Sequence, residues 1–147
     1  MSLLRRLDHV AVVIRDTDEA LRYFSGSLGL RVTSSEEIRA PAVRLTYLDT
    51  GNAYLQLVEP LDSESAVAHW LEEHGEGVHH ICFGVDDVLA AASGLAVGAG
   101  AGGDAVPGSG RGRVSSFVPG EPRHGVRIEC TEFRHADDVE RTPGFLA

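Results

Sequence analysis

Runs in which apolar and polar positions alternate give way to runs in which apolar residues recur every three or four positions, and the whole plan occurs twice along the chain. Residues 7–14, from Leu7-Asp8-His9-Val10 to Ile14, read as a strand. Asp16-Thr17-Asp18-Glu19 is a helix-capping run with acids in the first turn, followed by helical spacing at Ala20, Leu21, Tyr23, Phe24 and Leu28 and a stop at Gly29. A less marked strand covers residues 30–36. Val43 to Leu48 and Ala53 to Val58 then alternate around the turn Asp49-Thr50-Gly51-Asn52, which predicts a hairpin. Pro60-Leu61-Asp62 opens a connector in which Ser65 to His74 reads as a short amphipathic helix ended by Gly75-Glu76-Gly77. The second copy comprises a strand at 78–85, a helix from Val88 to Leu95, and strands near 113–118 and 126–132. The glycine-rich run from Gly98 to Gly112 precedes the last two strands, and a polar tail follows them.

The predicted fold is α+β, one domain over residues 1–134 built from two paired βαβββ modules. The first module covers about residues 6–60, a connector helix lies within 61–77, the second module covers 78–133, and residues 135–147 form a tail. A unit that cannot bury its apolar face alone must pack on its copy, so equivalent positions of the two copies should meet near a pseudo-twofold axis.

Four polar side chains interrupt the apolar strands at matching places: His9, Gln56, His80 and Glu129. His9 and His80 are 71 residues apart, and Gln56 and Glu129 follow them by 47 and 49 residues. On strand alternation His9 shares a face with Leu7, Ala11 and Val13. One polar residue inside an apolar strand is usually a satisfied core group, because its burial is costly without a partner. Four at equivalent positions predict a shared partner, and two imidazoles, a carboxylate and an amide oxygen suit Co²⁺, Mn²⁺, Ni²⁺, Zn²⁺ or Fe²⁺ better than Mg²⁺ or Ca²⁺. His80 is chosen over His79 because it aligns with His9 when the two strands are superposed; His79 then faces the other way as a structural hydrogen-bonder. His69 and His74 belong to the polar side of the connector helix, His124 to a turn and His135 to the tail. Cys82 and Cys130 sit in apolar strand patterns and read as reduced core residues.

Composition narrows the function classes. A net charge of −9 and a pI near 5.1 argue against a nucleic-acid partner. All thirteen basic residues are arginine, a coding preference with little functional content. No apolar run is long enough to span a bilayer and no signal-peptide core follows Met1-Ser2-Leu3-Leu4-Arg5-Arg6, so a cytoplasmic protein without membrane partners is expected.

The stretches Leu7-Asp8-His9-Val10-Ala11, Tyr54 to Leu61, Asp62 to Leu71 and Gly75 to Ile81, with His124-Gly125-Val126 before Ile128-Glu129, resemble the vicinal oxygen chelate (glyoxalase/bleomycin-resistance) superfamily, and within it the methylmalonyl-CoA epimerases. The resemblance covers residues 6–133. It implies a cleft-shaped mixed sheet around a divalent metal held by His9, Gln56, His80 and Glu129. It also implies a metal-dependent epimerase that moves a proton at C2 of a 2-methylmalonyl-CoA-type thioester through a metal-stabilised enolate, with Glu129 as base on one face. A homodimer is what the family likeness suggests. The sequence departs from the bacterial pattern at Leu45, where a second acid is expected; Tyr47, two residues on, or Glu37 would then deliver the other proton. The glycine-rich loop from Gly102 to Gly112 is expected to close over the acyl end, with Arg111 or Arg113 as exposed loop residues near the phosphates of the CoA-type substrate. The alternatives are a glyoxalase I-type lyase or isomerase using the same ligands, an Fe²⁺-dependent ring-cleaving dioxygenase using only His9, His80 and Glu129, and a drug-sequestering module without catalysis or metal.

Overall fold

The computed structural model describes residues 3–98, 108–111 and 113–132. Most of the glycine-rich run and the tail, with the loop closure and the tail boundary expected there, lie outside the described residues. The elements are β1 (Arg6–Val13), α1 (Thr17–Leu21) continuing as a π-helical stretch (Arg22–Ser27), β2 (Arg31–Arg39), β3 (Ala42–Asp49), β4 (Tyr54–Pro60), α2 (Ala66–His74), β5 (Gly77–Val85), α3 (Val88–Gly98), β6 (Gly108–Gly110), β7 (Arg113–Phe117) and β8 (Ile128–Glu132). In chain order this is βαβββ twice over with α2 between, an α+β architecture. The backbone contacts divide it into a unit from Val10 to His79 and a unit that joins the residues through His9 to those from His80 onward.

In the Val10–His79 unit, β2, β3 and β4 run antiparallel, with Leu45 opposite Val58 and Tyr47 opposite Gln56. The strict alternation of β3 and β4 gives each face a separate apolar cluster. Leu48 and Leu57 pack with Ala20, Leu21 and Phe24 from the first helix. Val43, Leu45, Tyr47, Tyr54 and Val58 pack on the other face with Ala11, Val13 and the connector-helix residues Val67, Trp70 and Leu71. Gln56, between Tyr54 and Val58, shares that second face. Both helices start where their capping residues predict: Asp16 accepts from the Glu19 N–H at 3.0 Å, and the Ser65 hydroxyl from the Ala68 N–H at 3.1 Å. Connector helix α2 ends at Gly75, whose φ of 76° takes the chain into the left-handed region while its N–H bonds to Leu71 O at 2.8 Å.

The structure differs from the predicted elements at three places. The first helix holds α geometry only to Leu21, after which Leu28 N–H reaches back five residues to Tyr23 O at 2.9 Å. The Ser25-Gly26-Ser27 segment has weak α preference and lets the wider turn form. Strand β2 runs on to Arg39 because β3 gives it partners down to Ala42. Strand β6, Gly108-Ser109-Gly110, has no alternation for a pattern to detect, and its pairing with β7 creates it.

In the other unit, β5 and β8 are parallel, with Ile81 opposite Ile128 and Cys82 opposite Glu129, while β8–β7 and β7–β6 are antiparallel. Val85, Val88, Ala91 and Cys130 form its core with Leu4, Leu95, Val114 and Val118. Asp87 caps α3 by accepting from the Ala90 N–H at 3.0 Å, and the Glu132 carboxylate accepts from the Val88 N–H at 3.2 Å. Cys82 and Cys130 are both buried and free. No helix among the described residues is long and apolar enough to cross a membrane.

Leu57 is fully buried between β3 and the first helix. Leu57→Ala is expected to lower unfolding stability by about 2–5 kcal/mol, seen as a lower urea midpoint at unchanged m-value.

Candidate metal centre

Three side chains from three strands converge in the unit containing β5 and β8. His9 comes from β1, His80 from β5, and Glu129 from β8, where the parallel register sets it beside Cys82, two residues beyond His80. His9 Nε2 lies 3.3 Å from His80 Nε2 and 3.4 Å from Glu129 Oε1, and His80 Nε2 lies 3.5 Å from the same oxygen. Two imidazole nitrogens and one carboxylate oxygen gathered this closely match the spacing of about 3.0–3.4 Å between neighbouring ligands of a first-row divalent ion bound at about 2.0–2.1 Å. The residues present therefore fit a divalent metal. The edge of the Phe117 ring packs on His80, centroids 5.0 Å apart at 89°, and limits the ring's rotation.

The orientation of His9 is set from behind by Asp8. Neighbours on a strand normally face opposite ways, yet Asp8 Oδ2 lies 2.7 Å from His9 Nδ1. Asp8 is fully buried. Burial would raise its pKa, but the hydrogen bond from His9 and the charges of Arg111 and His9 outweigh this and hold it at about 2. An ionised carboxylate can only accept, so Nδ1 of His9 must donate and, in the neutral ring, Nε2 carries the lone pair facing His80 and Glu129. Arg111 also donates to Asp8 Oδ2, and Arg113 Nη1 donates to Oδ1 at 3.3 Å.

The titration of the three converging groups reflects the same crowding. Burial opposes protonation of His9, but its bonds to Asp8 and Glu129 prevail and raise its pKa; in His80 burial prevails and lowers it. Burial works against ionisation of Glu129 too, yet the hydrogen bonds and charges of His80 and His9 bring its pKa far below the usual carboxylate range. Burial and the nearby Glu129 and Asp8 carboxylates push the Cys82 thiol well up, so at neutral pH it is neither thiolate ligand nor nucleophile.

Gln56 and Tyr47 belong to the Val10–His79 unit, where Gln56 Nε2 donates to the Tyr47 hydroxyl at 2.8 Å. Gln56 Oε1 is buried without a hydrogen-bond partner among the described residues, a cost that an oxygen-seeking ligand would relieve. Leu45 is buried in the apolar cluster with Tyr47, and Glu37 is exposed on β2. His79 packs edge-on against Trp70 with centroids 5.0 Å apart, His74 stacks on Trp70 with centroids 4.6 Å apart, and His69 and His124 are exposed. Arg111 and Arg113 do not have the exposure expected of loop arginines: Arg113 is 6% exposed, and both are turned onto Asp8 because a buried carboxylate needs cationic donors. Asp8 is the residue that sequence reasoning missed. Its signal was a charged side chain inside an apolar strand next to the histidine.

Residues 8–101 match the family described as the Glyoxalase/Bleomycin resistance protein/Dioxygenase superfamily. The chain is similar to the mitochondrial methylmalonyl-CoA epimerase of Homo sapiens, 33% identical over 89 residues, which are 60% of this chain and 51% of that protein. It is also similar to the ethylmalonyl-CoA/methylmalonyl-CoA epimerase of Cereibacter sphaeroides, 32% identical over 90 residues, 60% of this chain and 67% of that protein. The matched segment thus spans about half the length of the human relative. Among solved structures, a glutamate-to-leucine variant of Streptomyces coelicolor methylmalonyl-CoA epimerase, in complex with 2-nitronate-propionyl-CoA, superposes with a TM-score of 0.78 at 33% identity, covering 89% of this chain and 96% of that one.

Asp8 has a pKa of about 2 against an ordinary 3.8, so it adds stability that is present above about pH 4 and is lost as the pH falls toward 2, about 2 kcal/mol in all. Urea midpoints of metal-free protein between pH 2 and 6 are expected to rise with pH more steeply in the wild type than in Asp8→Asn.

Proposed function

Since the chain belongs to the glyoxalase/bleomycin resistance protein/dioxygenase superfamily, we propose that it is a metal-dependent epimerase acting at C2 of a 2-methylmalonyl-CoA-type thioester. The observation that carries this reading is the convergence of His9 Nε2, His80 Nε2 and Glu129 Oε1, in a chain whose relatives are named as epimerases of such thioesters. His9, His80 and Glu129 would hold the ion, and the unsatisfied Gln56 Oε1 would be the fourth ligand. A divalent ion held there supplies Lewis acidity where negative charge develops as the α-proton leaves.

The chain's own groups do the remaining work. Glu129 stays ionised throughout the neutral range and is the base on one face. Tyr47, whose hydroxyl accepts from Gln56, is the proton donor on the other, in the role that Leu45 has no proton to fill. The Asp8 charge is answered by Arg111 and Arg113, which leaves Glu129 as the one carboxylate offsetting the ion among the described residues. The centre therefore keeps a net positive field, suited to a substrate with a free carboxylate. A three-ligand dioxygenase would leave the buried Gln56 oxygen unexplained.

The test is deuterium incorporation at C2 of methylmalonyl-CoA in D₂O, followed by NMR together with epimer composition. Co²⁺-loaded wild type is expected to exchange and invert, and chelation is expected to abolish both until Co²⁺ is restored. Glu129→Gln should lower exchange by about 10²–10⁴-fold. Tyr47→Phe should retain exchange of one epimer while losing inversion. Absence of exchange in metal-loaded wild type would overturn the epimerase reading.

A further inference from the structure

Asp8 is a costly residue where it stands. It is a carboxylate with no solvent exposure, on the first strand, paired with two guanidiniums, and both its oxygens are used. Oδ2 accepts from His9 and from Arg111, and Oδ1 accepts from Arg113. Those arginines are 103 and 105 residues further along the chain, so this carboxylate is a long-range junction and not a local turn contact. Arg111 reaches it from a backbone with φ of 56°, a conformation unusual for a residue with a side chain, which persists only where surrounding contacts hold it. Arg113 enters from the start of β7, the strand whose Phe117 limits the ring of His80.

We propose that Asp8 is the positioning residue of the metal centre: clamped by Arg111 and Arg113, it fixes His9 in the tautomer with hydrogen on Nδ1 and aims Nε2 at the ion. The inference rests on the metal reading above and adds to it an ordered line from Arg111 and Arg113 through Asp8 to His9. A carboxylate behind a ligating imidazole both orients the ring and makes it a stronger donor. The two guanidiniums add charged donors to both oxygens of that carboxylate and hold it in place.

The experiment compares wild type, Asp8→Asn, Arg111→Gln and Arg111→Lys for Co²⁺ affinity, by titration of the visible absorption, and for the tautomer of His9, by long-range ¹H–¹⁵N spectra of metal-free protein above the pH at which His9 titrates. Asp8→Asn is expected to weaken Co²⁺ binding by about 10–100-fold and to add the Nε2–H tautomer to the spectrum. Arg111→Gln is expected to show a smaller change in the same direction, and Arg111→Lys to recover most of it. Should Asp8→Asn fail to fold, the Arg111 pair carries the test, since a merely structural role would not shift the tautomer. Wild-type affinity and a single Nδ1–H tautomer in the variants would overturn the relay while leaving the metal centre intact. Failure of the wild type to take up Co²⁺ would overturn both, and uptake without C2 exchange would overturn only the epimerase reading.

Discussion

A buried negative charge needs positive or donating partners in fixed positions, and the carboxylate of Asp8 imposes that constraint on everything around it. Its three donors come from His9 on the same strand and from Arg111 and Arg113 far along the chain. The N-terminal strand is thereby tied to the residues around β7 by electrostatics as well as by packing. One consequence is local and chemical: His9 has no freedom to present the wrong nitrogen.

The second constraint is the parallel pairing of β5 with β8. Parallel strands keep their residues in an even register, and Cys82 opposite Glu129 sets the carboxylate near the imidazole two residues back on the neighbouring strand. With His9 added, three donor atoms lie within 3.3–3.5 Å of one another. Three donor atoms this close, without a cation between them, set lone pair against lone pair. A cation converts the same crowding into an attraction. His9, His80 and the neighbouring Cys82 are all buried, which keeps the effective dielectric low and strengthens that attraction.

The Val10–His79 unit solves a different problem. Its β3 and β4 bury both faces, one on the first helix and the other on the connector helix, so every side chain of these strands must be accounted for. Gln56 and Tyr47 are polar groups admitted to the second face, and they satisfy one another through a single 2.8 Å bond. The remaining amide oxygen is the one polar atom of that pair for which the unit supplies no partner among the described residues.

Periodicity alone established most of the elements, because alternation and capping are local properties: Asp16 and Ser65 start helices where their short side chains reach the next turn, and Gly75 stops one. The recurrence of His9, Gln56, His80 and Glu129 was legible for the same reason, as polar positions at fixed intervals in apolar strands. The sequence could not reveal the π-helical stretch at Arg22–Ser27 or the strand Gly108–Gly110, since weak local preference leaves the outcome to neighbouring elements. Nor could it reveal the role of Asp8. Strand alternation places Asp8 away from His9, and its true partners, at positions 111 and 113, look like solvated loop arginines until folding buries them. Spacing along a chain reports which residues share a face. Only tertiary structure decides which charges must share a carboxylate, because that depends on distances between segments that local propensity does not encode.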